Sequence, residues 1–237
     1  MTTIQSGEYM ISIIIPTLNE EEYLEPVIKS IKNQHFKDYE IIVSDGSSDD
    51  KTIEIAKKYT DKFIVSKKRG ISVQRNTGVK IAKGDILLFL DADTTLKQDF
   101  LTHMNNAFND KNVVSAVGYV RSYGRKRDRV TLRSYSEAVR ILSVLRPYMC
   151  GSCMAVRKNI FEKVGGFDEN LYTAEDVDIG LKIRKYGKCK FIRNAIAFTS
   201  PRRLQNKGSL GITLFHVKNL IRYELFKRSS NNFPHDR

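Results

Sequence analysis

Apolar residues along this chain come in two rhythms, and the rhythms alternate. Ile11-Ser12-Ile13-Ile14-Ile15, Glu40-Ile41-Ile42-Val43-Ser44, Phe63-Ile64-Val65 and the run from Ile86 to Leu90 show no in-out alternation and read as strands buried on both faces. Between them Leu24, Val27, Ile28 and Ile31 recur at helical spacing behind the acidic turn Glu20-Glu21-Glu22, Ile53, Ile55 and Ala56 mark a second helix, and 72–82 a third. Four strands separated by helices within a hundred residues predict a parallel sheet covered by helices.

The second half continues with a helix near 98–108 and a strand near 113–120. Met154-Ala155-Val156 reads as strand, Gly165-Gly166-Phe167-Asp168-Glu169 as a turn, and 188–198 as a last strand. Ala174-Glu175-Asp176-Val177-Asp178 leads a helix carrying Ile179, Leu181 and Ile183, and acids in a first helical turn offset the macrodipole. From Arg121 to Arg146 arginines and lysines crowd in while Val130, Ala138, Ile141, Leu142 and Leu145 share one helical face. This basic amphipathic segment is a solvated helix or one that rests on anionic lipid head groups.

At 237 residues the chain can bury a full core. Its 40 Lys and Arg against 27 Asp and Glu give a net charge of +13, which favours polyanionic partners: nucleic acid, acidic lipid or phosphorylated small molecules. Three cysteines imply no disulfide framework and a reducing, cytoplasmic setting. Residues 1–9 lack the pattern of a signal peptide and are expected to form a loose arm. No uncharged apolar run approaches the roughly 20 residues of a membrane span. Cys150-Gly151-Ser152-Cys153 has the spacing of a redox pair or half a zinc site, but further zinc ligands are scattered, so structural cysteines are expected.

The chemistry concentrates where the strands end. The buried run from Ile86 to Leu90 stops at Asp91-Ala92-Asp93, two carboxylates one residue apart at the edge where open α/β sheets bind ligands. Oxygen donors there suit Mg²⁺ or Mn²⁺ bridging to a phosphate; the competing reading has Asp93 capping a helix that starts near Leu96. Further polar signals fall at the same edge: Pro16 to Glu20, Asp45 to Asp50 and Gly70 to Asn76.

With these motifs in order, the chain resembles the family 2 inverting glycosyltransferases of GT-A fold. The resemblance is carried by Ile14-Ile15-Pro16-Thr17-Leu18-Asn19-Glu20, Ile42 to Asp49, Gly70 to Gly78, Asp91-Ala92-Asp93, Gly165-Gly166-Phe167-Asp168 and Glu175-Asp176, and covers roughly 11–200. It implies a Rossmann-like, mostly parallel central sheet flanked by helices over 10–208, with a nucleotide-binding half about 10–95, an acceptor-side half about 96–208 and an amphipathic tail at 209–237. It further implies that Pro16, Thr17 and Glu20 line the nucleoside pocket, Asp45 holds the base, and Gly70, Arg75 and Ala92 lie close to the nucleotide sugar. Asp93 would bind the divalent cation, Asp91 would face the ribose or the metal's water, and Asp176, with Glu175 beside it, would be the general base.

The expected activity is metal-dependent transfer of a sugar from a UDP- or GDP-sugar to a hydroxyl or phosphate, on a saccharide or a lipid-linked acceptor at the cytoplasmic membrane face. Ser44-Asp45 replaces the two acids many members carry, which leaves the base open. The Gln-x-x-Arg-Trp motif of processive synthases has no counterpart in a chain without Trp, and Arg202 and Arg203, near that position, are expected to clamp phosphate. The reading from another class, a basic module that binds nucleic acid without catalysis, lacks clustered aromatics among the arginines.

Overall fold

The computed structural model describes residues 9–60, 62–145 and 151–202, with scattered positions between 205 and 223. Helices and strands alternate as β1 (Ile11–Thr17), α1 (Leu24–Lys32), β2 (Tyr39–Asp45), α2 (Thr52–Tyr59), β3 (Lys62–Val65), α3 (Ile71–Val79) and β4 (Ile86–Leu90). Every residue of β1 and β4 is buried, as unalternating runs require. Helix α1 turns Leu24, Val27, Ile28 and Ile31 inward, the four positions its spacing selects.

The chain continues through β5 (Thr94–Leu96), α4 (Phe100–Ala107), β6 (Val113–Ser122), α5 (Lys126–Leu145), β7 (Cys153–Arg157), α6 (Lys158–Lys163), α7 (Glu175–Ile183) and β8 (Lys188–Thr199). The strands form one sheet in the order β3-β2-β1-β4-β7-β6-β8-β5. Strands β3, β2, β1 and β4 are parallel, β7 is antiparallel to β4 and β6, and β8 returns parallel to β6. The amino end of β7 therefore meets the carboxyl ends of β4, β6 and β8 at one edge.

Two expectations are corrected. Asp93 caps no helix: Thr94–Leu96 pairs antiparallel with β8, and helix α4 starts only at Phe100. A three-residue polar-apolar run carries too little periodicity to distinguish a helix start from an edge strand. The third helix ends at Val79, short of 82. The apolar stripe of α5 is exposed at Val130, Ala138 and Ile141, as a solvated or surface-resting helix requires, while Asp128 and Ser136 are buried. Ser136 donates to the Val120 carbonyl at 2.7 Å and Asp128 accepts from the Arg125 amide at 3.0 Å, so polar bonds seat this helix. The side chains of Leu142 and Leu145 lie outside the described residues, as does most of the tail at 209–237.

Two terminal positions join the domain. The Arg157 guanidinium lies 4.9 Å from the centre of the Tyr9 ring, and Tyr223 is buried with its hydroxyl donating to Asp178 at 2.7 Å. Cys153 and Cys189 are free thiols; Cys150 lies outside the described residues. Among the described residues no helix is long and apolar enough to cross a membrane.

Candidate active site

The loops after β1 and β2 clasp each other at the carboxyl edge. Asp45 is fully buried; it accepts from the Thr17 hydroxyl at 2.7 Å, the Ser48 amide at 2.8 Å and the Ser48 hydroxyl at 2.7 Å. The Thr17 carbonyl takes the Gly46 amide at 2.8 Å and the Gln74 side-chain amide. Asn19, at a left-handed φ of 54°, accepts from the Asp49 amide at 2.9 Å. Glu20 is 2% exposed and its amide donates to the Thr52 hydroxyl at 2.7 Å. Pro16, the sixth residue of β1, is buried with its neighbours. The two loops thus form a hydrogen-bonded wall in which Asp45 faces protein donors.

Gly70 opens α3 with φ of 145° and ψ of 132°, a backbone that side chains avoid, and its carbonyl receives the Gln74 amide at 2.9 Å. The helix buries Arg75 to 1% exposure. Its guanidinium donates to Glu175 at 3.0 Å, Asp91 at 3.1 Å and the Gly151 carbonyl at 2.9 Å, and it lies 5.2 Å from the Phe167 ring centre. The next residue, Asn76, holds that ring's backbone, donating to the Phe167 carbonyl at 2.9 Å and accepting its amide at 3.1 Å. Desolvation works against the Arg75 charge, and Asp91, Glu175 and Asp176 more than offset it, raising its pKa.

Asp91 follows β4, and its amide bonds the Ser152 carbonyl at 3.2 Å, tying it to the start of β7. Ala92 is buried beside it. Asp93 is 6% exposed and is reached by Thr94 and Thr199 hydroxyls at 3.3 Å and by the Arg202 guanidinium at 3.1 Å. Arg202 also donates to Glu20 at 2.7 Å and stacks 4.6 Å from the Tyr23 ring centre. Burial opposes its charge, but Glu20 and Asp93 raise its pKa above the usual arginine value. Arg203 lies outside the described residues.

Across the edge, α7 begins at Glu175, preceded by Ala174 in a left-handed conformation (φ 62°, ψ 16°). A non-glycine residue held there stores backbone strain next to two functional acids. Asp176 accepts from the Gly151 amide at 3.2 Å and from the Val177 amide at 2.8 Å. Burial, then repulsion from Asp176, pushes Glu175 up to about 7 against the pull of Arg75.

Asp91, Asp93, Glu175 and Asp176 thus gather from β4 and α7 at one edge, joined by Arg75 and Arg202. The donor set fits a hard cation, because both acids after β4 are oxygen ligands and each already holds a positive guanidinium. Among the described residues no group of three or more His, Cys, Asp or Glu side chains is placed to hold a metal ion, so a cation at this edge would rest on Asp91 and Asp93 with the rest of its shell left to water and substrate phosphate. Sequence reading assigned no role to Gly151, Tyr23 or Thr199. Gly151 was visible only as the filler of a Cys-x-x-Cys pattern, and the other two carried no local signal.

The chain is similar to known proteins. An uncharacterized glycosyltransferase of Rickettsia typhi is 28% identical over 193 residues, covering 77% of this chain and 61% of that protein. GalNAc(5)-diNAcBac-PP-undecaprenol beta-1,3-glucosyltransferase of Campylobacter jejuni is 36% identical over 121 residues, 48% of this chain and 37% of its own length. In both cases the chain spans less than two thirds of the relative. Among solved structures, the mannosyltransferase PcManGT of Pyrobaculum calidifontis, in complex with GDP-Man and Mn²⁺, superposes with a TM-score of 0.67 at 21% identity, over 81% of this chain and 56% of that one. TarS 1-349 of S. aureus with UDP-GlcNAc gives 0.64 at 21% identity over 81% and 58%. These likenesses establish the GT-A fold. The family model for glycosyl transferase family 2 matches residues 12–165, which takes in the motifs from β1 to Asp93 and stops short of Glu175-Asp176. The chain belongs to glycosyl transferase family 2, a family of enzymes.

Proposed function

We propose that this chain is a metal-dependent inverting glycosyltransferase that moves a sugar from a UDP- or GDP-sugar to an acceptor hydroxyl or phosphate. One observation carries the reading: separate elements, β4 and α7, bring the acids of Asp91-Ala92-Asp93 and Glu175-Asp176 to the same edge, with Arg75 bonded to Asp91 on one and Glu175 on the other. Pro16, Thr17, Glu20, Asp45 and Gly70 then shape the nucleoside side of that edge, Asp45 as organiser of the loop that would meet the base. Asp93, with Asp91, would hold Mg²⁺ or Mn²⁺, whose charge offsets that of the leaving diphosphate.

Asp176 takes the proton from the acceptor hydroxyl as the acceptor oxygen bonds to the anomeric carbon. The bond from that carbon to the diphosphate breaks, the nucleoside diphosphate leaves as an anion, and attack from the opposite face inverts the centre. General-base help of this kind is worth about 10² to 10⁴ in rate. Glu175, buried beside Asp176, is held by Arg75 at the head of α7. Arg202 would move from the acids to the phosphate oxygens, for which a planar guanidinium is suited, and Arg203, next in sequence, would add a second.

The Campylobacter relative's name places its acceptor on undecaprenol, which supports a lipid-linked acceptor here. The exposed stripe Val130, Ala138 and Ile141 on α5, with exposed Arg127, Arg129 and Arg133, supports peripheral contact with an anionic membrane at the cytoplasmic face. Thermal stabilisation by a nucleotide panel tests the donor site: a shift with UDP or GDP plus Mn²⁺, lost with chelator and in Asp93→Ala, is expected. No nucleotide effect, together with a salt-dependent shift on RNA, would sink the reading. Flotation with anionic but not neutral vesicles tests the membrane contact.

A further inference from the structure

Arg75 is the largest fully buried side chain among the described residues, and its surroundings differ from those of a ligand-binding arginine. It presents nothing to the open edge. Both terminal nitrogens are engaged by protein oxygens: Nη1 by Glu175 at 3.0 Å, Nη2 by Asp91 at 3.1 Å and by the Gly151 carbonyl at 2.9 Å. Two routes lead from this guanidinium to Asp176. One runs through Glu175, its neighbour at the head of α7; the other through the Gly151 residue, whose carbonyl binds Arg75 and whose amide donates to Asp176 at 3.2 Å. On the opposite side stands Asp91, at the end of β4.

A buried charge needed only for packing is better replaced by an apolar side chain, and one needed only for neutralisation could be a lysine. What the guanidinium adds is a rigid plane with donors at set angles, here spent on three acceptors from three chain segments. Gly151 is part of the same fit: a Cβ there would stand 3.1 Å from Nη2 of Arg75 and 3.5 Å from the Asp176 carboxylate.

We propose that Arg75 is a positioning residue, which fixes the proton-accepting carboxylate of Asp176 relative to the diphosphate-side acid Asp91 without touching the nucleotide. The inference rests on Asp176 as base and on Asp91-Ala92-Asp93 as the donor edge. Arg75 acts through Asp91, Glu175 and Gly151, so its loss lowers turnover and leaves donor affinity almost unchanged.

The test uses the full chain, hydrolysis of nucleotide sugars with Mn²⁺ as the turnover assay, and calorimetric binding of UDP or GDP with Mn²⁺. A wild-type chain that neither hydrolyses any nucleotide sugar nor binds a nucleotide overturns the transferase reading itself, and the present inference with it. With an active wild type, Arg75→Met is expected to lower kcat by about 100-fold, the scale of an ångström-sized misplacement, with donor KM and nucleotide Kd within about threefold. Arg75→Lys restores the charge without the fork and should recover only part of that loss. Gly151→Ala removes no charge and crowds Arg75 Nη2 at 3.1 Å, shifting the guanidinium by tenths of an ångström while Asp176 stays at ordinary contact distance; it should lower kcat several-fold at constant Kd, and it supplies the answer if the Arg75 variants do not fold. Unchanged kcat with a raised KM in the Arg75 variants, full recovery in Arg75→Lys, or an unaffected Gly151→Ala enzyme would each overturn the proposal.

Discussion

Two arginines flank Asp91-Ala92-Asp93, and they are held in opposite ways. Arg75, from α3, is sealed in the protein at 1% exposure, its partners drawn from β4, α7 and the loop before β7. Arg202, just beyond β8, keeps 22% of its side chain exposed and reaches two buried acids, Glu20 and Asp93. The first is built into the framework; the second sits where a bound cation and diphosphate would also be drawn. The difference teaches that charge alone does not assign a role at this edge. Depth and the number of fixed partners separate a group that sets geometry from one able to exchange partners.

The sharpest way to break this comparison is stability. Arg75→Met strands the buried Glu175 and the half-buried Asp91, and removing one partner of a buried pair typically costs about 3–5 kcal/mol. Arg202→Met also leaves two buried acids, but the side chain it replaces is open enough for water to take its place, and the change is expected to cost about 1–3 kcal/mol. Urea unfolding of the two variants measures both, and equal losses would erase the distinction. Next in size, Asp176→Asn should reduce turnover by about 100-fold or more while nucleotide-dependent thermal shifts persist. Loss of both would place Asp176 among the groups that hold the nucleotide.

A third expectation concerns cation binding. Arg202 competes for Asp93, so Arg202→Ala should bind Mn²⁺ alone several-fold more tightly than wild type, read by electron paramagnetic resonance, and bind nucleotide diphosphates more weakly. Weaker binding of Mn²⁺ alone would mean that Arg202 supports the acid rather than occupying it.

The pH dependence of stability probes Arg75's side. Glu175 is raised from its ordinary value of 4.5 to about 7, so the folded state binds a proton that the unfolded state has already released across that window. Its contribution is greatest below about 4.5, falls as pH rises toward 7 and is flat above. Glu175→Gln should remove that slope from the unfolding free energy; an unaltered slope would assign it elsewhere. The smallest effect is expected at Ala174. Left-handed backbone costs a non-glycine residue about 1–2 kcal/mol, and glycine returns part of this as chain entropy, so Ala174→Gly should stabilise by about 0.5 kcal/mol in the same urea assay.

Much of this site was legible one-dimensionally. The unalternating runs that became β1 and β4 demanded a two-sided cover, and acids directly after such a run could only fall at the sheet's carboxyl edge. Helix α1 buried the residues its spacing named. Helix α5 shows the limit of that reasoning. Its apolar stripe was correctly located along the helix, but periodicity says which positions share a face and not which neighbour that face meets; hydrogen bonds from Ser136 and Asp128 turned the stripe outward.

The sequence by itself determined the strands, the order of the motifs and the acids available at their ends, because those follow from local hydrophobic period and chain direction. Only the tertiary structure decided that Arg75 points inward to join Asp91 with Glu175, that the Gly151 amide reaches Asp176, and that Arg202 lies on Asp93. Each of these bonds crosses between segments far apart in the chain. Their partners are set by the antiparallel insertion of β7 between β4 and β6 and by the return of β8, a pairing that no local pattern encodes.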